Sequence, residues 1–124
     1  MGYRCGDVVW ADLDPSVGHE QNKRRPLVVV SNDKFNIHCS LTMTVPIISA
    51  DTGYPLHLSV GAVPSEDGGA PIHGFAEIEQ LKSLDLNVRR AVKVGSIDAR
   101  GMDKILSMVM GCLIAPDMSI ISGY

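Results

Sequence analysis

The chain has 124 residues, of which 45% are hydrophobic and 20% charged, a balance that suits one compact domain with a real core and excludes a disordered or membranous chain. Its formal net charge of −3 excludes a polycation that grips nucleic acid by bulk charge, though not a local basic patch. No run of about 18 uncharged apolar residues and no signal-peptide layout is present, and Cys5, Cys39 and Cys112 are odd in number and far apart. With no CxxC pair, HExxH helix or calcium-loop spacing beside them, the expectation is a reduced cytoplasmic protein with no cofactor and no built-in metal site.

Residues 7–13 are β-rich and end at the turn signal Asp14-Pro15. Residues 16–24 are polar, contain Gly18, and read as an exposed loop. Residues 26–31 form a near-continuous apolar run, the pattern of a strand buried on both faces, and Asn32-Asp33 can cap one helical turn over 34–36. Residues 41–49 predict a strand with Leu41, Met43, Val45, Ile47 and Ser49 on one face and Thr42, Thr44, Pro46 and Ile48 on the other. Pro46 points to an edge position or a bulge. After a turn at 51–55, a short strand is expected over 56–60, a loop with three glycines over 61–73, and strands over 74–79 and 91–94.

The last element is of another kind. Met102, Ile105, Leu106, Val109 and Leu113 recur at three- and four-residue steps behind a plausible N-cap, Asp98, which predicts an amphipathic helix from 98 to about 112 that ends before Pro116. The expected architecture is a mainly β, curved sheet of five or more short strands with one covering helix, all in a single domain over 1–124. The tail over 116–124 is expected to pack as an extra strand or to fray.

The densest polar constellation is Gly18-His19-Glu20-Gln21-Asn22-Lys23-Arg24-Arg25-Pro26. Arg25 stands where the loop meets the apolar strand, and a guanidinium anchored at a rigid entrance suits phosphate recognition by two parallel hydrogen bonds. The plain alternative is that Lys23, Arg24 and Arg25 form a solvated hairpin tip. His19 and Glu20 are either an acid–base pair or two solvated loop residues. His38, His57 and His73 have no partner spacing and read as structural or exposed. Glu77 and Glu79, two apart on a predicted strand, read as paired carboxylates or as a polar sheet face.

Taken together, residues 6–15, Gly18-His19-Glu20-Gln21 and Arg24-Arg25-Pro26 with the following run to Asn32 resemble the opening of MazF/PemK-type toxins. Val45-Pro46, Gly53-Tyr54-Pro55, residues 79–85 and Val94-Gly95 continue the pattern in order, so that the resemblance spans about 6–113. It implies an mRNA-directed endoribonuclease of a bacterial type II toxin–antitoxin pair, built as a small SH3-like barrel of about five to seven strands with a C-terminal helix. It also implies a homodimer that holds single-stranded RNA in interface grooves, and an antitoxin whose acidic, flexible C-terminal segment occupies the same groove. The implied reaction is metal-independent and leaves 2′,3′-cyclic phosphate and 5′-OH ends. On this resemblance Arg25 stabilises the phosphorane, His19 and Glu20 serve RNA binding and proton transfer, and Lys23, Arg24, Glu79 and Gln80 contact RNA, with Lys82, Arg89 and Arg90 as further cations.

Two positions depart from the pattern. Where relatives carry a Thr at the second position after the proline, this chain has Ile48 and then Ser49. Ser49 can replace the missing hydroxyl only at a bulge or strand end, because on a regular strand it faces the other way. Where some relatives carry Arg-x-Asp, this chain has Glu77 and Glu79, so an anion replaces a cation near bound RNA. Two other readings stay open on the sequence: a gyrase-binding toxin similar to CcdB, and a non-catalytic module of the same fold that binds RNA or antitoxin.

Overall fold

The computed structural model describes residues 2–114. Chain order is β1 (Asp7–Asp12), β2 (Arg24–Val29), α1 (Asp33–His38), β3 (Thr42–Ile48), β4 (His57–Val63), β5 (Ile72–Glu77), a 3-10 turn (Ile78–Gln80), β6 (Lys82–Leu84), β7 (Val92–Ser96) and α2 (Ala99–Leu113). The seven strands make one curled antiparallel sheet in the order β4-β5-β3-β2-β1-β7, with β6 paired to β3 beside β5. This is the mainly β sheet with a C-terminal helix that the sequence predicts. The tail over 116–124 lies outside the described residues, among which no helix is long and apolar enough to cross a membrane.

β2 carries the core. Leu27, Val28 and Val29 are fully buried, and the alternation of a strand sends them to two different clusters. Val28, with Val30, joins Val8, Val45, Ile47, Ile105 and Val109. Leu27 and Val29 join Val9, Ala11, Leu84 and Leu86 on the opposite face. α2 covers the first cluster with the stripe read from its sequence, burying Met102, Ile105 and Val109. Leu113, the last member of that stripe, is 65% exposed and adds nothing to this core. Asp98 caps α2 by accepting a hydrogen bond from the Gly101 amide at 2.7 Å, and Asn32 caps α1 in the same way from Phe35.

Several expectations need correction. β3 is an interior strand, so Pro46 marks neither an edge nor a bulge. One side of β3 pairs with β2. The other pairs with β6 through Thr42–Thr44 and with β5 through Ile47 and Ile48, and Pro46 falls in the gap between those two ladders. The stretch over 61–73 is not all loop: β4 runs on to Val63 and β5 begins at Ile72. The strand passes Gly61 through a bulge that leaves Val60 unpaired, with Gly61 at a φ of 66°. β5 stops at Glu77, not at residue 79, and Glu79 lies on the 3-10 turn. β6, three residues long, gives too short a pattern to be read from sequence.

Gly74 lets β5 meet the end of β3. Its φ is 147°, and a Cβ there would lie 2.2 Å from the Ile48 carbonyl oxygen. Gly74→Ala is therefore expected to lower stability by at least about 2 kcal/mol through strain and displacement of the β3 end. Urea denaturation of the two proteins measures the difference.

Candidate active site around Arg25

The loop after β1 is closed onto β2 by the Leu13 amide, which donates to the Lys23 carbonyl at 2.8 Å. Lys23 turns the chain with a φ of 64°, and Arg24 and Arg25 follow as the first two residues of β2. Arg24 Nη1 lies 3.0 Å from Asp12 Oδ1 and its Nη2 donates to the Arg90 carbonyl at 2.8 Å. Arg89 donates to the Asp12 carbonyl at 3.1 Å, and Arg90 Nε stands 3.6 Å from Asp12 Oδ2. Arg24, Arg89 and Arg90 thus fasten β1 to the turn before β7, and of these Arg24 is an expected RNA contact whose guanidinium is already engaged.

Arg25 is engaged differently. Its Nε donates to the Asn22 carbonyl at 3.0 Å, which fixes the side chain and leaves both terminal nitrogens without a protein partner among the described residues. It is half-buried and forms no ion pair there. Arg25 and Ser49 both border a cleft of about 460 Å³, together with Arg24, Trp10, Asp67 and His73. Ser49 directly follows Ile48, the last residue of β3. Carrying the register Leu27↔Pro46 two residues further sets Arg25 opposite Ile48, so the arginine's cross-strand neighbour is apolar. His73, read as structural or exposed, is exposed but borders this cleft.

Glu20 borders a second, narrower depression with Gln21, Leu27, Gln80 and Lys82, on the face of β2 that Leu27 shares with Arg25. Its Oε1 accepts from the Val17 amide at 2.9 Å and lies 3.6 Å from Lys82 Nζ. The amide first, and Lys82 second, hold its carboxyl below the usual range. Gln80 staples the loop to the 3-10 turn: Nε2 donates to the His19 carbonyl at 3.0 Å, and Oε1 accepts from the Gln21 amide at 3.2 Å. Its amide is therefore spent on the protein. His19 and Lys23 are exposed, with no side-chain partner among the described residues.

Glu77 and Glu79 do not share a strand face, yet they converge on His57, which the sequence passes over as structural or exposed. His57 Nε2 lies 2.7 Å from Glu79 Oε2 and 3.6 Å from Glu77 Oε2, while Nδ1 is 2.9 Å from Thr52 Oγ1. Burial pushes the Glu77 carboxyl above the usual range and the charge of Glu79 adds to this, against the Gln21 side chain, His57 and Arg25. Glu77 Oε1 is buried without a hydrogen-bond partner among the described residues. Residues 20 and 22 apart in sequence carry no spacing signal, and the pairing of β4 with β5, His57↔Glu77, brings this cluster together.

The same chain is similar to known proteins over most of its length. It is 33% identical over 92 residues to the endoribonuclease toxin MazF of Escherichia coli K12, covering 74% of this chain and 77% of that one. It superposes on the crystal structure of MazF from Deinococcus radiodurans with a TM-score of 0.76 at 27% identity, covering 91% of this chain and 97% of the other. The MazE-MazF complex from the same organism gives 0.70 at 27% identity, with 91% and 96% covered. The family described as the PemK-like, MazF-like toxin of type II toxin–antitoxin systems matches residues 4–113, and with that span, this sheet and this helix the chain belongs to that family.

Proposed function

We propose that the protein is a cytoplasmic endoribonuclease toxin that cuts single-stranded RNA at a site centred on Arg25. The observation that carries the reading is a guanidinium fixed through Nε by the Asn22 carbonyl, with its terminal nitrogens unspent and a hydroxyl, Ser49, on the rim of the same cleft. The relatives' names, endoribonuclease among them, favour this over the gyrase-binding alternative. In the reaction the 2′-oxygen bonds to the adjacent phosphorus, the bond from phosphorus to the 5′-oxygen breaks, and the 2′-hydroxyl proton leaves to a base while the 5′-oxygen gains one. The products are a 2′,3′-cyclic phosphate and a 5′-OH.

Arg25 offers two parallel N–H donors to the phosphorane as negative charge builds on it, and a route for proton donation to the leaving oxygen. Glu20, kept ionised by the Val17 amide and Lys82, is the proton acceptor, with His19 beside it on the loop. Ser49 takes the place of the hydroxyl absent at Ile48 and hydrogen-bonds the scissile phosphate. Lys23 supplies the free surface cation of the loop. No step calls on a metal ion.

A solved relative in complex with MazE supports an antitoxin as partner, one whose acidic segment competes with RNA for this groove. A homodimer is part of the same reading, and Met110 and Leu113, 48% and 65% exposed on α2, offer apolar surface for it.

Long single-stranded RNA incubated with the protein in EDTA is expected to be cut to cyclic-phosphate ends; intact RNA across varied sequences refutes the reading. Arg25→Ala is expected to slow cleavage by about 10²–10³ and to relieve growth arrest on expression. Persistent toxicity at matched protein levels would clear Arg25 of the role.

Glu77 generates a separate expectation. A buried carboxyl with a raised folded-state pKa holds its proton longer in the native state than in the unfolded chain, so its cost is absent in acid. That cost grows as pH rises from the ordinary carboxylate range through the raised value. Glu77→Gln should therefore stabilise the protein by about 1 kcal/mol or more at pH 7 in EDTA, and the gain should vanish near pH 4. Urea denaturation at the two pH values checks both parts.

A further inference from the structure

We propose that His57, Glu77 and Glu79 form a binding site for a divalent transition-metal ion, with zinc the best match. One ligand atom from each residue lies within 4.8 Å of the others, and an imidazole with two carboxylates is a ligand set that first-row divalent ions accept. Two ligand atoms each about 2.1 Å from a tetrahedral ion are about 3.4 Å apart. The distances from His57 Nε2 to the two carboxylates, 2.7 and 3.6 Å, bracket that spacing, so small rotations of the side chains admit the ion.

A second observation independently asks for a cation. The Glu77 side chain is only 5% exposed, and among the described residues its Oε1 has no hydrogen-bond partner. A buried carboxylate with an unanswered oxygen and a second carboxylate beside it is costly unless positive charge joins them. The imidazole is already held for the task. Thr52 Oγ1 lies 2.9 Å from Nδ1 and Tyr54 packs edge-on against the ring at a centroid distance of 5.1 Å, an outer shell that fixes the orientation of Nε2. Glu79, 30% exposed, leaves a path from solvent. An imidazole in the set argues against magnesium and calcium, which favour oxygen ligands.

None of the three residues borders the Arg25 cleft, and the role proposed for the ion is structural. Its effect is to neutralise the acidic pair and tie β4, β5 and the 3-10 turn together. The ligands come from residues that β4–β5 pairing gathers, which is why the cysteine and histidine spacing of the sequence predicts no metal.

The test uses the full chain, stripped with EDTA and desalted, with no RNA present. Calorimetric titration should find one zinc ion per chain and little binding of magnesium, and zinc should raise the melting temperature. Glu77→Gln and Glu79→Gln should each weaken zinc binding by at least about tenfold and remove the thermal shift. A cobalt titration should give visible d–d bands without thiolate charge transfer. No zinc binding at millimolar metal, binding unchanged in both variants, or a thiolate band that assigns the ion to the cysteines would each overturn the proposal. His57→Ala is left out as the deciding variant because its ring fills a packed position, whereas the two Gln variants keep shape and hydrogen-bonding groups.

Discussion

The whole arrangement depends on β2 being buried on both faces. Leu27, Val28 and Val29 are fully buried in two separate clusters, so a slip of one residue would exchange the two apolar faces and leave neither packed. At the entrance of the strand two consecutive arginines, both bordering one cleft, differ in what holds them. Arg24 is engaged by Asp12 and the Arg90 carbonyl; among the described residues Arg25 is held by one hydrogen bond, from Nε to the Asn22 carbonyl. Local partners therefore separate an arginine whose guanidinium is spent on structure from one whose terminal nitrogens are unpaired among the described residues.

Charge is arranged in the same economical way. In an acidic chain several of the basic groups near the site are paired: Arg24 and Arg90 with Asp12, Lys82 with Glu20. What the ion pairs achieve is placement more than strength, since exposed pairs contribute little stability. Lys82 at Glu20 favours the ionised carboxylate, and Gln80 holds the loop that carries it. Arg25 differs from the paired basic groups in forming no ion pair among the described residues and in being held by one hydrogen bond, from Nε to the Asn22 carbonyl.

The sequence was most informative where one pattern dictates one structure. The apolar run over 26–31, the three- and four-residue spacing of α2 and its Asp98 cap, and Arg25 at the junction of loop and strand all follow from local residues. It was least informative where the outcome depends on pairing. β4 and β5 extend each other through Gly61, Ala62 and Ile72, residues whose own propensities favour a loop over 61–73. Pro46 sits inside the sheet because β3 changes partners beside it. Arg24 and Gln80 look like free polar groups until their partners, Asp12, Arg90 and the loop backbone, are brought to them.

His57 shows this limit most plainly, and also why Glu77 matters. Read along the chain, it is a histidine without a companion. In the sheet it stands opposite Glu77 and within reach of Glu79. With a leucine or an arginine at 77 the histidine and Glu79 would be a simple pair, satisfied at 2.7 Å. The second carboxylate changes the problem from a hydrogen bond to an excess of buried negative charge, which a fold can relieve by a proton or by a cation. A proton is available in acid and is lost as pH rises, whereas a metal ion holds at neutral pH because its ligands are then deprotonated. Those opposite dependences on pH make Glu77 the residue on which the chemistry of this cluster turns.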